Sequence, residues 1–169
     1  MITSSDILFS IAVFSGVLRV NNNVFQGTIR DSFDPWTRLD FADFGFNQFG
    51  SSIPSSIFNI PTLRILYLTN NLLDGSIPEN YGTPPALRDL YLSGNSLTGP
   101  VPEIVPGQLT VLTEFLVQRN LLTGSMPPSV CALRFTGNGL LDDLWSDCGD
   151  LADPKFECDL PECCTMCFN

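Results

Sequence analysis

Histidine is absent from the sequence, and basic residues are scarce: eight lysines and arginines stand against eighteen aspartates and glutamates. Without histidine, the chain cannot build a Ser-His-Asp triad, a Cys-His pair or the common imidazole zinc sites. The net charge of −10 opposes the neutralisation of phosphates that drives nucleic-acid affinity, and no cluster of lysine or arginine compensates for it. We therefore expect no nucleic-acid partner and no imidazole-based catalysis.

Long apolar runs are missing too. The stretch ILFSIAVFSGVL, from Ile7 to Leu18, covers only twelve residues, which is too short to cross a bilayer. No basic residue precedes it, and Asp6 stands where a signal peptide would carry positive charge. We interpret this stretch as the buried strand and edge of a first repeat, and we expect neither a membrane span nor a signal peptide within this chain.

The 169 residues are 44% apolar and 15% charged, which is typical of a globular domain with one continuous core. Acidic residues concentrate near the C-terminus, where 142–162 contains eight of them and one base, Lys155. The cysteines concentrate there as well: Cys131, Cys148, Cys158, Cys163, Cys164 and Cys167. We therefore divide the chain into a main region, 1–141, and an acidic, cysteine-rich cap, 142–169.

Two groups in the cap could carry chemistry. Asp142, Asp143 and Asp147 could supply paired carboxylates, but no pocket-forming context accompanies them, and we interpret them as a solvated acidic surface. The cysteines could bind a metal, although an even number of clustered cysteines favours disulfides in an oxidising compartment. We expect no enzymatic activity, no metal and no cofactor.

Internal repetition is the strongest pattern in the main region. LYLTNNLLDGSIPEN, at 66–80, is followed 24 positions later by LYLSGNSLTGPVPEI, at 90–104. The repeat can be followed through an asparagine column, with spacings of 24, 24, 24 and 25: Asn23, Asn47, Asn71, Asn95 and Asn120. A fixed period of this length indicates a solenoid, in which each coil buries its apolar face against its neighbours.

The pattern LxxLxLxxNxLxGxIPxx resembles the plant-type leucine-rich repeat over about residues 14–140. The resemblance implies a right-handed β-solenoid with short parallel strands on the concave face, an irregular or 3-10 convex side, and about five full copies plus a short terminal copy. Alternation along each LxL strand places Leu66 and Leu68 in the core and Tyr67 towards solvent. The buried asparagine amide is expected to satisfy backbone groups of the neighbouring coil.

The tail CALRFTGNGLLDDLWSDCGDLADPKFECDLPECCTMCF resembles the C-terminal cap of leucine-rich repeat proteins predicted in diatoms, with Asp147 and Cys148 matching its L-x-x-D-C element. The resemblance implies secretion or display at the cell surface, and binding as the activity. We expect three disulfides among the six cysteines and favour the pair Cys131 and Cys148, because both flank the final coil.

We predict a non-enzymatic extracellular module that binds a protein or glycan on its concave face; the alternative is a structural, self-assembling component of a cell wall or extracellular filament. The fifth position of successive copies forms a solvent-facing column: Arg19, Asp43, Tyr67, Tyr91, Leu116 and Arg134. With neighbouring columns, the predicted ligand-binding patch is Phe41, Phe46, Ile65, Tyr67 and Tyr91, with Arg64, Arg88 and Asp89 as a polar rim. Alternatively, these aromatic residues only stack across strands for stability.

The start of the chain carries one further expectation. No cysteine pair and no amphipathic helix precede Ser15, although solenoids usually protect their terminal coils. We therefore expect an uncapped first coil, which belongs to a fragment of a longer protein or an incomplete gene model, or is covered by another chain, including a second copy.

Overall fold

The chain forms short strands separated by turns. The computed structural model describes residues 16–135, 140–147, 156–157 and 163–168. The elements in chain order are β1 (Val17–Arg19), β2 (Gln26–Thr28), β3 (Phe41–Asp43), β4 (Gln48–Ser52), a 3-10 helix (Ser55–Asn59), β5 (Ile65–Tyr67), β6 (Leu72–Asp74), β7 (Asp89–Tyr91), β8 (Thr98–Gly99), β9 (Glu114–Leu116), β10 (Leu121–Leu122), β11 (Gly124–Ser125), α1 (Pro128–Phe135), β12 (Asp143–Asp147), β13 (Phe156–Glu157) and β14 (Met166–Phe168).

One parallel sheet unites the coils. Its seven strands follow the order β1-β3-β5-β7-β9-β12-β14. Pairing joins equivalent repeat positions, so that Leu66 lies opposite Leu90 and Tyr67 lies opposite Tyr91. The chain is therefore a parallel β-solenoid of about six turns, which confirms the predicted fold class. Strands β12 and β14 continue the same sheet beyond the fifth repeat.

The core follows from alternation along the strands. The central residue of each repeat strand points inwards and is buried, as are the apolar residues that follow it. Aromatic side chains fill the space between the strands and the convex side; Phe33, Phe58, Tyr81 and Phe115 are fully buried. Shorter parallel pairings, β2-β4-β6 and β8-β10, line the flank, and the convex side is otherwise turns and one 3-10 helix.

A ladder of asparagine amides connects successive coils. The Asn71 Nδ2 donates to the carbonyl oxygens of Phe44, at 3.0 Å, and Leu68, at 3.2 Å. Its Oδ1 accepts from the backbone N–H of Phe49 in the preceding coil at 3.0 Å. Asn47, Asn95 and Asn120 repeat this arrangement. The predicted role of the asparagine column is confirmed.

The residue before each of these asparagines adopts a left-handed backbone conformation. Its φ is 54° at Asn22, 55° at Phe46, 53° at Asn70, 67° at Gly94 and 59° at Arg119. Glycine and asparagine enter this region at little cost, whereas a bulky side chain there is strained. Phe46 and Arg119 are thus the two strained members of this column.

The C-terminal region departs from the repeat. Arg134 was predicted to continue the fifth-position column, but it lies in α1, and Trp145 on β12 takes that place opposite Leu116. A proline at the first position and two adjacent buried residues, Val130 and Cys131, suit a helix rather than a strand, in which buried and exposed residues would alternate. Asn138, where the short terminal copy would place its asparagine, lies outside the described residues.

A disulfide joins α1 to the segment before β14. Cys131 bonds to Cys163, with the two Cα atoms 5.1 Å apart. The preferred pairing of Cys131 with Cys148 is therefore wrong: β14 adds to the sheet beside β12, which brings the segment before it against α1. Cys164 and Cys167 are disulfide-bonded as well. Cys148 and Cys158 lie outside the described residues.

Alkylation should find no accessible thiol. Without reductant, we expect unfolded protein to gain no alkyl group, and after reduction to gain one on each of its six cysteines. Intact mass measures both states. Modification of the unreduced sample on several cysteines would contradict a fully disulfide-bonded cap and revive the metal interpretation.

Two sequence expectations concern residues that the structure leaves undescribed. The assignment of residues 7–15 to a buried first-repeat edge, and the absence of a cap before Ser15, lie outside the described residues. Within the parts of the chain that are described, no helix is long and apolar enough to span a membrane.

Candidate functional site

Three of the predicted patch residues form one aromatic row across the concave sheet. The rings of Phe41 and Tyr67 meet edge to face, with centroids 5.6 Å apart and planes at 78°. Tyr67 and Tyr91 stack at 4.3 Å with planes at 20°. The Arg19 guanidinium carbon lies 4.6 Å from the Phe41 ring centre, as in a cation–π pair. Tyr67 and Tyr91 are register partners, whereas the contacts of Phe41 with Arg19 and with Tyr67 cross neighbouring strands diagonally.

The other two predicted residues flank this row. Ile65 is half-buried on β5, paired in register with Phe41. The side chain of Phe46 is 54% exposed and shares with the tyrosines a shallow depression of about 350 Å³. The lining of this depression is Asn21, Asp43, Gly45, Phe46, Tyr67, Thr69, Tyr91, Ser93 and Leu116. Tyr67 and Tyr91 are only partly exposed, because each covers a face of the other.

A polar row runs parallel to the aromatic row. The Thr69 and Ser93 hydroxyls are 3.2 Å apart, and Gln118 stands next in line, its carbonyl accepting from the N–H of Gly94. The Gln118 side chain is 7% exposed, and its Oε1 has no hydrogen-bond partner anywhere among the described residues. Sequence reasoning missed this row; its signal is the position two residues beyond the tyrosine column, where polar residues recur.

Acidic side chains border the aromatic row. The Tyr91 hydroxyl donates to the Glu114 carboxylate, and the Trp145 Nε1 donates to Asp143 Oδ1 at 3.3 Å. Burial, together with the Glu114 carboxylate, raises the pKa of Tyr91; burial and the charge of Asp89 raise the pKa of Tyr67. Both phenols therefore remain neutral hydrogen-bond donors at physiological pH.

The predicted polar rim is only partly correct. Asp89 is buried, because its carboxylate pairs with the Arg88 guanidinium at 3.3 Å and accepts from Thr113 Oγ1 at 2.8 Å. Arg64 is exposed and lies 3.6 Å from Asp40. The rim on this side is therefore formed by the two arginines, while Asp89 anchors Arg88.

A second aromatic pair, which sequence reasoning missed, lies at the C-terminal end of the sheet. Trp145 and Phe168 have ring centroids 5.7 Å apart. Trp145 follows Leu116 in the column that contains both tyrosines. Its signal is the alternation in DLWSD, which fits a strand. The predicted fifth-position column ends instead at Arg134, which lies in α1.

The chemistry of this face suits binding. The depression combines aromatic edges, hydroxyls and an amide, without an activated nucleophile or a paired acid and base. Across the described ranges, no three Cys, Asp or Glu side chains approach closely enough to hold a metal ion. Nothing in its lining forms a reaction centre of a known type.

Fold and repeat together resemble those of a leucine-rich repeat solenoid. Residues 62–83 and 86–107 match the family model of the Leucine Rich Repeat. No curated protein matches the chain significantly. Solved structures similar to it include ectodomains of plant receptor kinases, which supports the predicted plant-type resemblance; the likeness of its cap to diatom proteins stays a prediction.

Three of these structures illustrate the similarity. The GASSHO1/SCHENGEN3 ectodomain from Arabidopsis thaliana, in complex with CASPARIAN STRIP INTEGRITY FACTOR 2, is 30% identical with a TM-score of 0.68, over 78% of this chain and 15% of that one. The Arabidopsis HAESA ectodomain, in complex with an N-terminally extended form of the IDA peptide hormone, is 32% identical with a TM-score of 0.66, over 75% of this chain and 21% of that one. The BIR2 ectodomain from Arabidopsis thaliana is 27% identical with a TM-score of 0.61, over 84% of this chain and 68% of that one. The chain thus spans only a small part of the first two.

Proposed function

We propose that the protein is a non-enzymatic extracellular module that binds an extended peptide or protein segment on its concave face. The binding patch comprises Phe41, Phe46, Ile65, Tyr67 and Tyr91. The observation that carries the proposal is the depression on the sheet, where aromatic and polar rows run side by side. Similar ectodomains bind peptide ligands, which supports a protein partner, and the disulfide-bonded cap supports an oxidising, extracellular compartment.

The ring geometry favours a peptide over a glycan. Sugars usually pack against an open aromatic face, but the rings of Tyr67 and Tyr91 stack face to face, with their centroids 4.3 Å apart. Their edges and hydroxyls remain for an apolar side chain and for backbone groups of an extended chain. The neighbouring row of Thr69 and Ser93 adds hydroxyls that both donate and accept hydrogen bonds.

The proposal is tested with peptides selected on the folded protein from a displayed library of random twelve-residue sequences. We expect Tyr67→Ala and Tyr91→Ala each to weaken the selected peptides by about 1 to 3 kcal/mol, because each removes a large anchor from the patch. Titration calorimetry measures the affinities. Tyr67→Phe and Tyr91→Phe are the matched controls, since they keep the stacked rings and lose only the hydroxyl.

Other results would redirect the assignment. Selected peptides that bind the double alanine variant as tightly as the wild type would move the site off this patch. If no peptide is selected but a glycan array shows binding that the alanine variants lose, the ligand is a glycan. Concentration-dependent assemblies in size exclusion, without binding of either kind, would favour the structural alternative.

A further inference from the structure

Two residues of the concave face each carry a local cost that the free protein does not recover: Phe46 lines the depression, and Gln118 follows Ser93 in the polar row but does not belong to the lining. Phe46 holds a left-handed backbone with φ of 55°. Gln118 buries an amide oxygen without a hydrogen-bond partner in the described part of the chain. Local strain and unsatisfied polar groups of this kind persist where function requires them.

The cost at Phe46 is specific to its side chain. The equivalent position in other coils is Asn22, Asn70 or Gly94, which suit this backbone, or Arg119, whose backbone N–H donates to Asp147 Oδ1 at 2.7 Å. The Phe46 ring is 54% exposed and makes no ring contact with another described residue. It therefore neither fills the core nor joins the aromatic row, and its large apolar surface faces the depression.

The cost at Gln118 comes from its amide. The amide oxygen has no hydrogen-bond partner within the described residues, although Gln118 is only 7% exposed. A buried acceptor without a partner destabilises a protein more than an apolar side chain of the same shape would. A donor that arrives at the end of the Thr69 and Ser93 row would meet this oxygen after a rotation of the Gln118 side chain.

We propose that Phe46 and Gln118 are the two anchors of one extended peptide, which packs an apolar side chain on Phe46 and donates an N–H to Gln118 Oε1. This inference rests on the proposed function. The peptide would cross the strands from the second coil to the fifth, which is three strand spacings or about 14 Å. An extended chain covers that distance in about four to five residues. The stacked tyrosines lie between the two anchors.

The test compares stability and affinity in the same variants. Phe46→Asn restores a residue that the neighbouring coils use, and Gln118→Met removes the unpaired amide at similar volume. In the ligand-free protein, both should raise the urea midpoint of unfolding. Both should also weaken the selected twelve-residue peptides by about tenfold or more, because each removes one anchor.

Ser51→Gly is the matched control. Ser51 also has a left-handed backbone, with φ of 67°, at a position where other coils carry Gly75, Gly99 and Gly124, but it does not line the depression. This variant should relieve backbone strain without changing peptide affinity. An effect on affinity as large as that of Phe46→Asn would show that strain itself, and not the ring, matters, and would overturn the proposal.

Failure of the inference differs from failure of the proposed function. Peptides that lose affinity in Tyr67→Ala and Tyr91→Ala but not in Phe46→Asn and Gln118→Met would overturn the two anchors and keep the binding site. A lower urea midpoint in both anchor variants would show that the residues serve the fold, and would also overturn the inference. If no selected peptide depends on the tyrosines, the proposed function falls and the anchors with it.

Discussion

Replacing Cys131 and Cys163 together by alanine is expected to lower the free energy of unfolding by about 4 kcal/mol. The bond closes a chain segment with a sequence separation of 32, and the chain-entropy relation gives about this value for such a loop. Both sulfurs are also buried, so the change removes packing between α1 and the segment before β14. Urea unfolding of the wild type and the double variant, without reductant, measures the difference.

The control for the disulfide is the reduced protein. Under reductant, the difference between the wild type and the double variant should largely disappear, because the bond that separates them is gone. Peptide binding should persist at temperatures where both proteins are folded, since the aromatic row lies on β3, β5 and β7. Equal stability of the two oxidised proteins would show that this bond does not constrain the unfolded chain.

The second large effect is expected for Asn71→Ala, which should cost about 2 kcal/mol or more. The substitution leaves the buried Phe49 N–H without its partner, and a buried unpaired group costs about 1 to 3 kcal/mol. The Phe44 carbonyl loses one of its two amide donors but keeps Asn47 Nδ2 at 3.0 Å. The substitution also removes a bond to the Leu68 carbonyl within the same coil. Urea unfolding measures the loss.

Asn23 offers a matched control for the ladder. It occupies the same repeat position in the first coil, but it is exposed, and within the described residues its amide donates to the carbonyl oxygens of Val20 and Asn21 of its own turn. Asn23→Ala should therefore cost less than about 1 kcal/mol, because water can replace the lost partners. Equal effects at Asn23 and Asn71 would mean that the asparagines act within their own turns and not between coils.

The residues that sequence alone placed correctly share one property. Phe41, Tyr67 and Tyr91 were predicted to lie side by side, and their rings do meet across β3, β5 and β7. The period is constant through these coils, and each coil contacts its neighbours in register, so a position in one repeat determines its neighbour in the next. The binding role of the patch is a separate matter and stays a prediction.

The residues that sequence reasoning misplaced lie where the repeat pattern no longer applies. Trp145 entered the tyrosine column, and Arg134 left it, because the chain after the fifth coil forms a helix before it returns to the sheet. Asp89 became buried through its contacts with Arg88 and Thr113, although its position in the strand faces solvent. Side-chain pairing of this kind depends on distances in space that a linear pattern does not contain.

The sequence by itself determined the solenoid, its strand register and its asparagine ladder, because all three follow from a period of about 24 residues and from alternation within each strand. Only the tertiary structure decided the pairing of Cys131 with Cys163, the partners of Asp89, the strained backbone of Phe46 and the unpaired amide oxygen of Gln118. The reason is physical: periodic order repeats short-range geometry, whereas bonds and unpaired groups depend on which side chains finally meet when the coils stack.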